Sequence, residues 1–318
     1  MKISVIGCGR WGSFIAWYLD RIGHSVTLYA RVNSERMKTL METRENGLLT
    51  FNEKINLTTS LEDAVSSEVI IISVNSQGLR ALMDELSEYS PQNKIFVLCM
   101  KGIEIDTGKR LSEIAAENTD KSNSVAVWIG PGHVQDFAAG IPNCMVIDSE
   151  DDETKRLLVG EFSSELIRFY YGTDLIGNEV GAAAKNVVGI AAGMLDGMKL
   201  SSLKGALMSR GTREIARLIA AMGGNEMSAY GLCHLGDYEA TLFSLHSHNR
   251  KFGECFITGE SYTDLAEGYY TVKALVSLEE KHGVELPICH AVYDILYNGA
   301  DVKETLGLLF ARNLKNEF

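Results

Sequence analysis

Lys2-Ile3-Ser4-Val5-Ile6-Gly7-Cys8-Gly9-Arg10-Trp11-Gly12 is the stretch on which the reading of the fold turns. Lys2–Ile6 reads as a strand, and the residues from Trp11 to Ile22 read as the helix that follows. Between them lies G-x-G-x-x-G, a pattern that carries meaning when it joins a strand to a helix. Gly7 would permit the tight turn, Gly9 would let the backbone approach a pyrophosphate, and Gly12 would let helix and strand pack closely. The open N–H groups and positive end of the helix would hold the anion. Gly7, Gly9, Arg10, Trp11 and Gly12 are therefore candidate cofactor contacts.

Further apolar runs follow at Ser25–Tyr29, Val69–Val74, Ile95–Cys99, Val125–Ile129 and Cys144–Ile147. Several are nearly continuous in Val and Ile, as strands buried on both faces of a parallel sheet should be. Helical patterns over Asn33–Arg44, Gly78–Tyr89 and Thr107–Glu117 alternate with them. This is the βαβ order of an α/β, Rossmann-like doubly wound sheet. Strand-like runs stop near Tyr171, and helical patterns continue almost to the end. The expected division is residues 1–172 for a dinucleotide-binding domain and 173–318 for an all-α domain.

The end of the second strand bears on the choice of cofactor. NAD-binding sheets place an acid about 20 residues past the glycines, on the ribose hydroxyls. Leu28-Tyr29-Ala30-Arg31-Val32-Asn33 holds no acid there. Arg31 could pair with the 2′-phosphate of NADP or lie over the adenine, so NADPH is expected to be accepted beside NADH, or preferred to it.

The 318 residues, 46% of them hydrophobic, suit two soluble domains, and a formal net charge of −12 argues against a general nucleic-acid binder. No apolar stretch is long and clean enough for a membrane span. The opening residues lack the layout of a signal peptide. Six cysteines without a Cys-x-x-Cys pair suggest reduced thiols in a cytoplasm. His24, His234, His246, His282 and His290 show no metal-ligand spacing, and no catalytic metal is expected.

Gly177 to Met194 reads Gly-Asn-Glu-Val-Gly-Ala-Ala-Ala-Lys-Asn-Val-Val-Gly-Ile-Ala-Ala-Gly-Met. It is alanine-rich, free of proline and holds one cation, Lys185. On a helix the neighbours of Lys185 are Gly181, Ala182, Val188 and Gly189, none of them charged. An ammonium leaving such a face is costly without a partner, and desolvation lowers the pKa of an amine. That suits a proton donor near neutral pH.

Taken in order, these motifs resemble the NAD(P)-dependent glycerol-3-phosphate dehydrogenases of bacterial type. The resemblance rests on Val5 to Gly12, Lys101-Gly102-Ile103-Glu104, Gly130-Pro131 and the Gly177–Gly193 helix with Glu179 and Lys185-Asn186. Ser209-Arg210-Gly211, Gly231 to Asp237, Asn249 to Gly253, Glu267-Gly268 and Gly283 to Ile288 continue it. It implies a second domain like the C-terminal domain of 6-phosphogluconate dehydrogenase, a homodimer, and a small phosphorylated substrate. The implied reaction is reversible reduction of dihydroxyacetone phosphate to sn-glycerol 3-phosphate. Lys185 would be the general acid, and Asp237 would orient it. Lys101 would reach both substrate and cofactor. Thr241, Ser247, His248 and Asn249 would hold the substrate, and His248 and Glu267 would also lie against the cofactor. Thr241 is one helical turn after Asp237, so both would face the same way.

Four departures from the family pattern fall near the expected site. His248 stands where the family carries arginine, and Gly132-His133 replaces Ser-Phe. Asn75 replaces proline after Val74, and Ser202 stands where asparagine precedes the Leu203-Lys204 pair. Arginine gives a bidentate, permanent contact, whereas histidine gives a point contact charged at lower pH. Arg250, Lys204 or Arg210 could compensate. Two other readings follow: a related reductase of another small keto or hydroxy acid anion, and a redox-sensing binding protein without turnover.

Overall fold

The computed structural model describes residues 1–311; residues 312–318, which the second expected domain includes, lie outside the described residues. The chain divides into two compact units, Met1–Gly102 with Lys109–Glu179, and Ile103–Gly108 with Val180 onward. A short piece of the first half thus belongs to the second unit. There Gly108 lies close against Leu278: a Cβ on Gly108 would come 3.2 Å from its side chain.

The first unit is built on eight strands: β1 (Lys2–Ile6), β2 (Ser25–Tyr29), β3 (Asn56–Thr58), β4 (Val69–Ile72), β5 (Ile95–Leu98), β6 (Ser124–Ile129), β7 (Asn143–Ser149) and β8 (Ile167–Tyr171). Their order across the sheet is β3-β2-β1-β4-β5-β6-β7-β8. Every neighbouring pair is parallel except β6 with β7. The helices of this unit are α1 (Arg10–Arg21), α2 (Glu35–Thr43), α3 (Leu61–Val65), α4 (Leu79–Ser87), α5 (Leu111–Glu117), α6 (Val134–Ala138) and α7 (Asp152–Phe162). Phe14, Tyr18, Trp128, Phe137 and Phe162 form an aromatic seam in its core, all almost wholly buried.

Three features differ from the sequence reading. β3 and β8 are additional strands. Both are edges: Asn-Leu-Thr is too short to show a pattern, and β8 buries only Ile167 and Phe169. β7 runs antiparallel to β6 because the chain between them holds only the five-residue α6, not a full crossover helix. The helix expected from Thr107 starts at Leu111, since Gly108 has φ +67°, a left-handed conformation a helix does not pass through.

The second unit contains α8 (Leu175–Gly197), which begins in the first unit, then α9 (Lys204–Ala221), α10 (His248–Thr258), α11 (Glu267–His282), α12 (Pro287–Tyr297) and α13 (Val302–Phe310). Among the described residues it holds no strand. α8 is buried nearly all round from Val180 to Leu195, and its glycines explain how. A Cβ at Gly193 would overlap the carbonyl oxygen of Arg250, and one at Gly253 would overlap that of Ile190, so α8 and α10 meet backbone to backbone. Among the described residues no helix is long and apolar enough to cross a membrane.

α12 is started by a carboxylate from another helix. Pro287 occupies its first turn, and Glu214 of α9 accepts the N–H groups of Ile288 and Cys289, each at 2.9 Å. Burial pushes the Glu214 carboxyl up from 4.5 to about 7, against the pull of those two N–H donors. The folded protein then holds a proton that the unfolded chain gives up at lower pH. This contribution to stability is complete below 4.5 and is lost as pH rises through about 7. A Glu214→Gln variant lacks that loss. Its stability relative to wild type is expected to improve from about pH 5 to about pH 8, measured by urea denaturation at each pH.

Candidate active site

The glycine turn has the shape its spacing requires. Gly7 has φ +112°, and a Cβ there would overlap the carbonyl oxygen of Ser73; one on Gly12 would overlap that of Gly7. Gly9 is different. A Cβ on it would come no nearer than 3.9 Å to another group, the Arg36 guanidinium, so the space above Gly9 is open. Gly9 is also the N-cap of α1 and gives no side-chain cap, leaving the first-turn N–H groups of Arg10 and Trp11 to point outward. An open face, a cap that takes up none of the first-turn donors and the positive end of a helix suit a pyrophosphate. Arg31, at the end of β2, is exposed and pairs with Glu85 at 2.8 Å. Lys101, after β5, donates to the carbonyl of Gly130 at 2.6 Å.

In the second unit Lys185 emerges from α8 with its side chain 9% exposed. Its Nζ lies 2.9 Å from Asp237 Oδ2 and donates to Thr241 Oγ1 at 2.7 Å. Asp237 is itself 1% exposed. Asp237 and Thr241 do converge, though not on an α-helix. Asp237 ends a 3₁₀ turn (Leu235–Asp237), and Thr241 lies in a single π turn (Glu239–Phe243). Gly189 makes room for this, because a Cβ on it would lie 2.7 Å from Thr241 Cγ2. The result is a buried ammonium with a matched carboxylate and a hydroxyl, an arrangement able to hold a proton at a fixed place in a dry setting.

The remaining expected substrate residues lie at the start of α10. Ser247 is its N-cap and accepts the N–H of Arg250. His248 Nδ1 is 2.6 Å from the Tyr262 hydroxyl and 3.8 Å from Asp264. Asn249 donates to Asn186 Oδ1 at 3.0 Å and accepts the N–H of Gly268 at 2.9 Å, so it ties α10 to both α8 and α11. Glu267 is the first residue of α11. Two of the cations considered as stand-ins for the missing arginine are held elsewhere: Arg250 Nη1 and Lys204 Nζ both sit 2.6 Å from Asp196 Oδ2. Arg210 lies on α9, on the face along an apolar cavity of about 870 Å³.

The sequence reading assigned no role to three buried side chains near Lys185. Asn186 is one, and its partner Asn249 could not be known from spacing. His234 and Tyr238 are the others, joined by a 2.7 Å hydrogen bond, with His234 Nδ1 2.8 Å from the carbonyl of Gly181. Burial, with Lys185 nearby, pushes His234 down to about 4, so it is neutral. Their spacing of four residues was the available signal. Among the described residues no three His, Cys, Asp or Glu side chains gather in a group able to hold a metal ion.

Comparison with known proteins bears on both halves. A family model described as NAD-dependent glycerol-3-phosphate dehydrogenase N-terminus matches residues 2–155, and the corresponding C-terminus model matches residues 174–307. The chain is 35% identical over 329 residues to glycerol-3-phosphate dehydrogenase [NAD(P)+] of Thermoanaerobacter sp. (strain X514), covering 100% of this chain and 99% of that protein. It is 37% identical over 332 residues to the protein of the same name from Chlorobium phaeobacteroides, again covering 100% and 99%. The crystal structure of glycerol-3-phosphate dehydrogenase from Coxiella burnetii has a TM-score of 0.92 at 26% identity, over 98% of this chain and 99% of that one. A ketopantoate reductase from Ralstonia eutropha shares the fold at a TM-score of 0.66 and 12% identity, covering 96% of this chain and 100% of that one. With both halves matched and the order of motifs kept from Gly7 to Pro287, the chain belongs to the NAD-dependent glycerol-3-phosphate dehydrogenase family.

Proposed function

We propose that the protein reduces dihydroxyacetone phosphate to sn-glycerol 3-phosphate with NADH or NADPH, Lys185 acting as the general acid. The observation that carries the assignment of the acid is the buried Lys185 ammonium held by Asp237 and Thr241 at 2.9 and 2.7 Å. The bound nicotinamide supplies the hydride. As hydride reaches C2, negative charge grows on the carbonyl oxygen, and a fixed donor placed there is worth most in the transition state. Lys185 gives that oxygen its proton. Asp237 keeps the amine charged and aimed, and Thr241 fixes its second direction. Lys101 at the end of its strand assists at the substrate and cofactor. Ser247, His248 and Asn249 at the start of α10 take the substrate phosphate, with His248 in the place of a permanent cation and Glu267 close to the cofactor. Gly7, Gly9, Arg10, Trp11 and Gly12 hold the pyrophosphate on their N–H groups. The family resemblance further supports a cytoplasmic homodimer.

Arg31 is our candidate for the 2′-phosphate of NADPH. Its pairing with Glu85 is exposed and worth little, so an incoming phosphate can displace it. The decisive assay is a kinetic matrix of dihydroxyacetone phosphate and several 2-keto acids against both cofactors. Turnover of the triose phosphate is expected; turnover of a keto acid alone would overturn the substrate assignment. In the same matrix Arg31→Ala should lower the NADPH-to-NADH ratio of kcat/KM by about tenfold, one charge-assisted contact. An unchanged ratio would remove Arg31 from cofactor choice.

A further inference from the structure

His234 and Tyr238 stand on either side of Asp237 and face the core of the second unit rather than solvent; both are 0% exposed. A carbonyl oxygen only accepts, so the 2.8 Å contact with Gly181 puts the ring proton on His234 Nδ1. Nε2 then accepts the Tyr238 hydroxyl at 2.7 Å. The fit is close, since a Cβ on Gly181 would lie 3.0 Å from His234 Cβ. Tyr238 lies in turn against α9, its hydroxyl 3.2 Å from the Cβ position of Gly211. The backbone closes the path: the carbonyl of His234 accepts the N–H of Asp237 at 3.0 Å.

These bonds form a ring. It runs from the Gly181 carbonyl through the His234 imidazole to the His234 carbonyl, then through the Asp237 N–H and carboxylate to Lys185. Gly181 is one helical turn before Lys185 on α8, which completes the circuit. We propose that His234 and Tyr238 are positioning residues, which hold the Asp237 carboxylate in register with Lys185 and thereby keep the amine charged for proton delivery. The proposal rests on the reading of Lys185 as the general acid. The charged or titratable groups acting on the two side chains are Lys185, Asp237, Glu214 and Cys289. Neither residue touches the reacting atoms in this assignment; each acts through Asp237.

The test uses Tyr238→Phe, which removes one hydroxyl, together with His234→Ala and His234→Asn. Asparagine keeps a donor at the position of Nδ1 and should rescue much of what alanine loses. With Asp237 loosened, the buried amine gives up its proton more readily. Tyr238→Phe and His234→Ala should therefore lower kcat about ten- to a hundred-fold, with KM for dihydroxyacetone phosphate nearly unchanged. The alkaline limb of the kcat profile should move to lower pH. Acylation of Lys185 by a small amine-directed reagent, followed across pH by peptide mass spectrometry, should show the same displacement without any turnover. If His234→Ala does not fold, Tyr238→Phe decides. A folded Tyr238→Phe enzyme with the wild-type pH limb and wild-type acylation profile would overturn the proposal. Full turnover in Lys185→Ala would instead overturn the general-acid reading, and leave the acylation result to judge the brace on its own.

Discussion

Lys185→Ala is expected to reduce turnover of dihydroxyacetone phosphate by ~10²–10⁴-fold, the usual contribution of a positioned acid. The loss should fall on kcat, because the proton matters in the transition state and little in binding. NADPH titration by fluorescence should be unchanged, since the glycine turn belongs to the other unit of the chain. The substitution has a second effect. Asp237 is 1% exposed and would lose the Lys185 ammonium 2.9 Å away, at a cost of about 3–5 kcal/mol. The double variant Lys185→Ala with Asp237→Asn removes that buried charge. It should recover most of the stability and none of the turnover, which separates chemistry from folding. Wild-type turnover in folded Lys185→Ala would end the assignment.

A comparable loss of stability is expected at Glu179. Its carboxylate accepts from Arg110 Nη1 at 2.7 Å and from the backbone N–H of Ser112 at 2.9 Å, and both charged side chains are less than 10% exposed. Burial pushes the Glu179 carboxyl up, and the Arg110 guanidinium pulls it back down. The pair joins the second turn of α8 to the start of α5. Glu179→Ala takes from the buried Arg110 guanidinium its 2.7 Å partner, leaving it Glu113 at 3.4 Å, and frees the N–H of Ser112. The expected cost is about 3–5 kcal/mol, a large share of the roughly 5–15 kcal/mol that holds a typical protein together. The melting temperature should fall steeply, while the enzyme that remains folded keeps its kcat. A melting temperature unchanged from wild type would show that the pair contributes nothing net.

Most of this architecture was legible in the residues. Val and Ile runs separated by helical patterns gave the central strands, because a strand buried on both faces has no polar positions to obscure it. The edges were harder. β3 has three residues and β8 is half exposed, so neither carries a strong signal. Lys185 was readable because its surroundings were so plainly apolar. Its approach by Asp237 was readable only through resemblance, since the two turns that deliver Asp237 and Thr241 are 3₁₀ and π and obey no common period. His234 and Tyr238 were missed for a related reason. A histidine in a glycine-rich loop looks solvent-exposed until the glycine opposite, Gly181, is seen to admit it. The capture of Arg250 and Lys204 by Asp196 likewise depends on a meeting of three segments that no local pattern announces.

The six residues Ile103–Gly108 are numbered with the sheet yet belong with the helices. A ribosome therefore releases part of the later unit about seventy positions before the remainder. A gene cut at the start of α8 would encode a helical fragment missing its own piece, with Leu278 bared where Gly108 should lie. Swapping halves between relatives should succeed only when those six travel with the downstream partner.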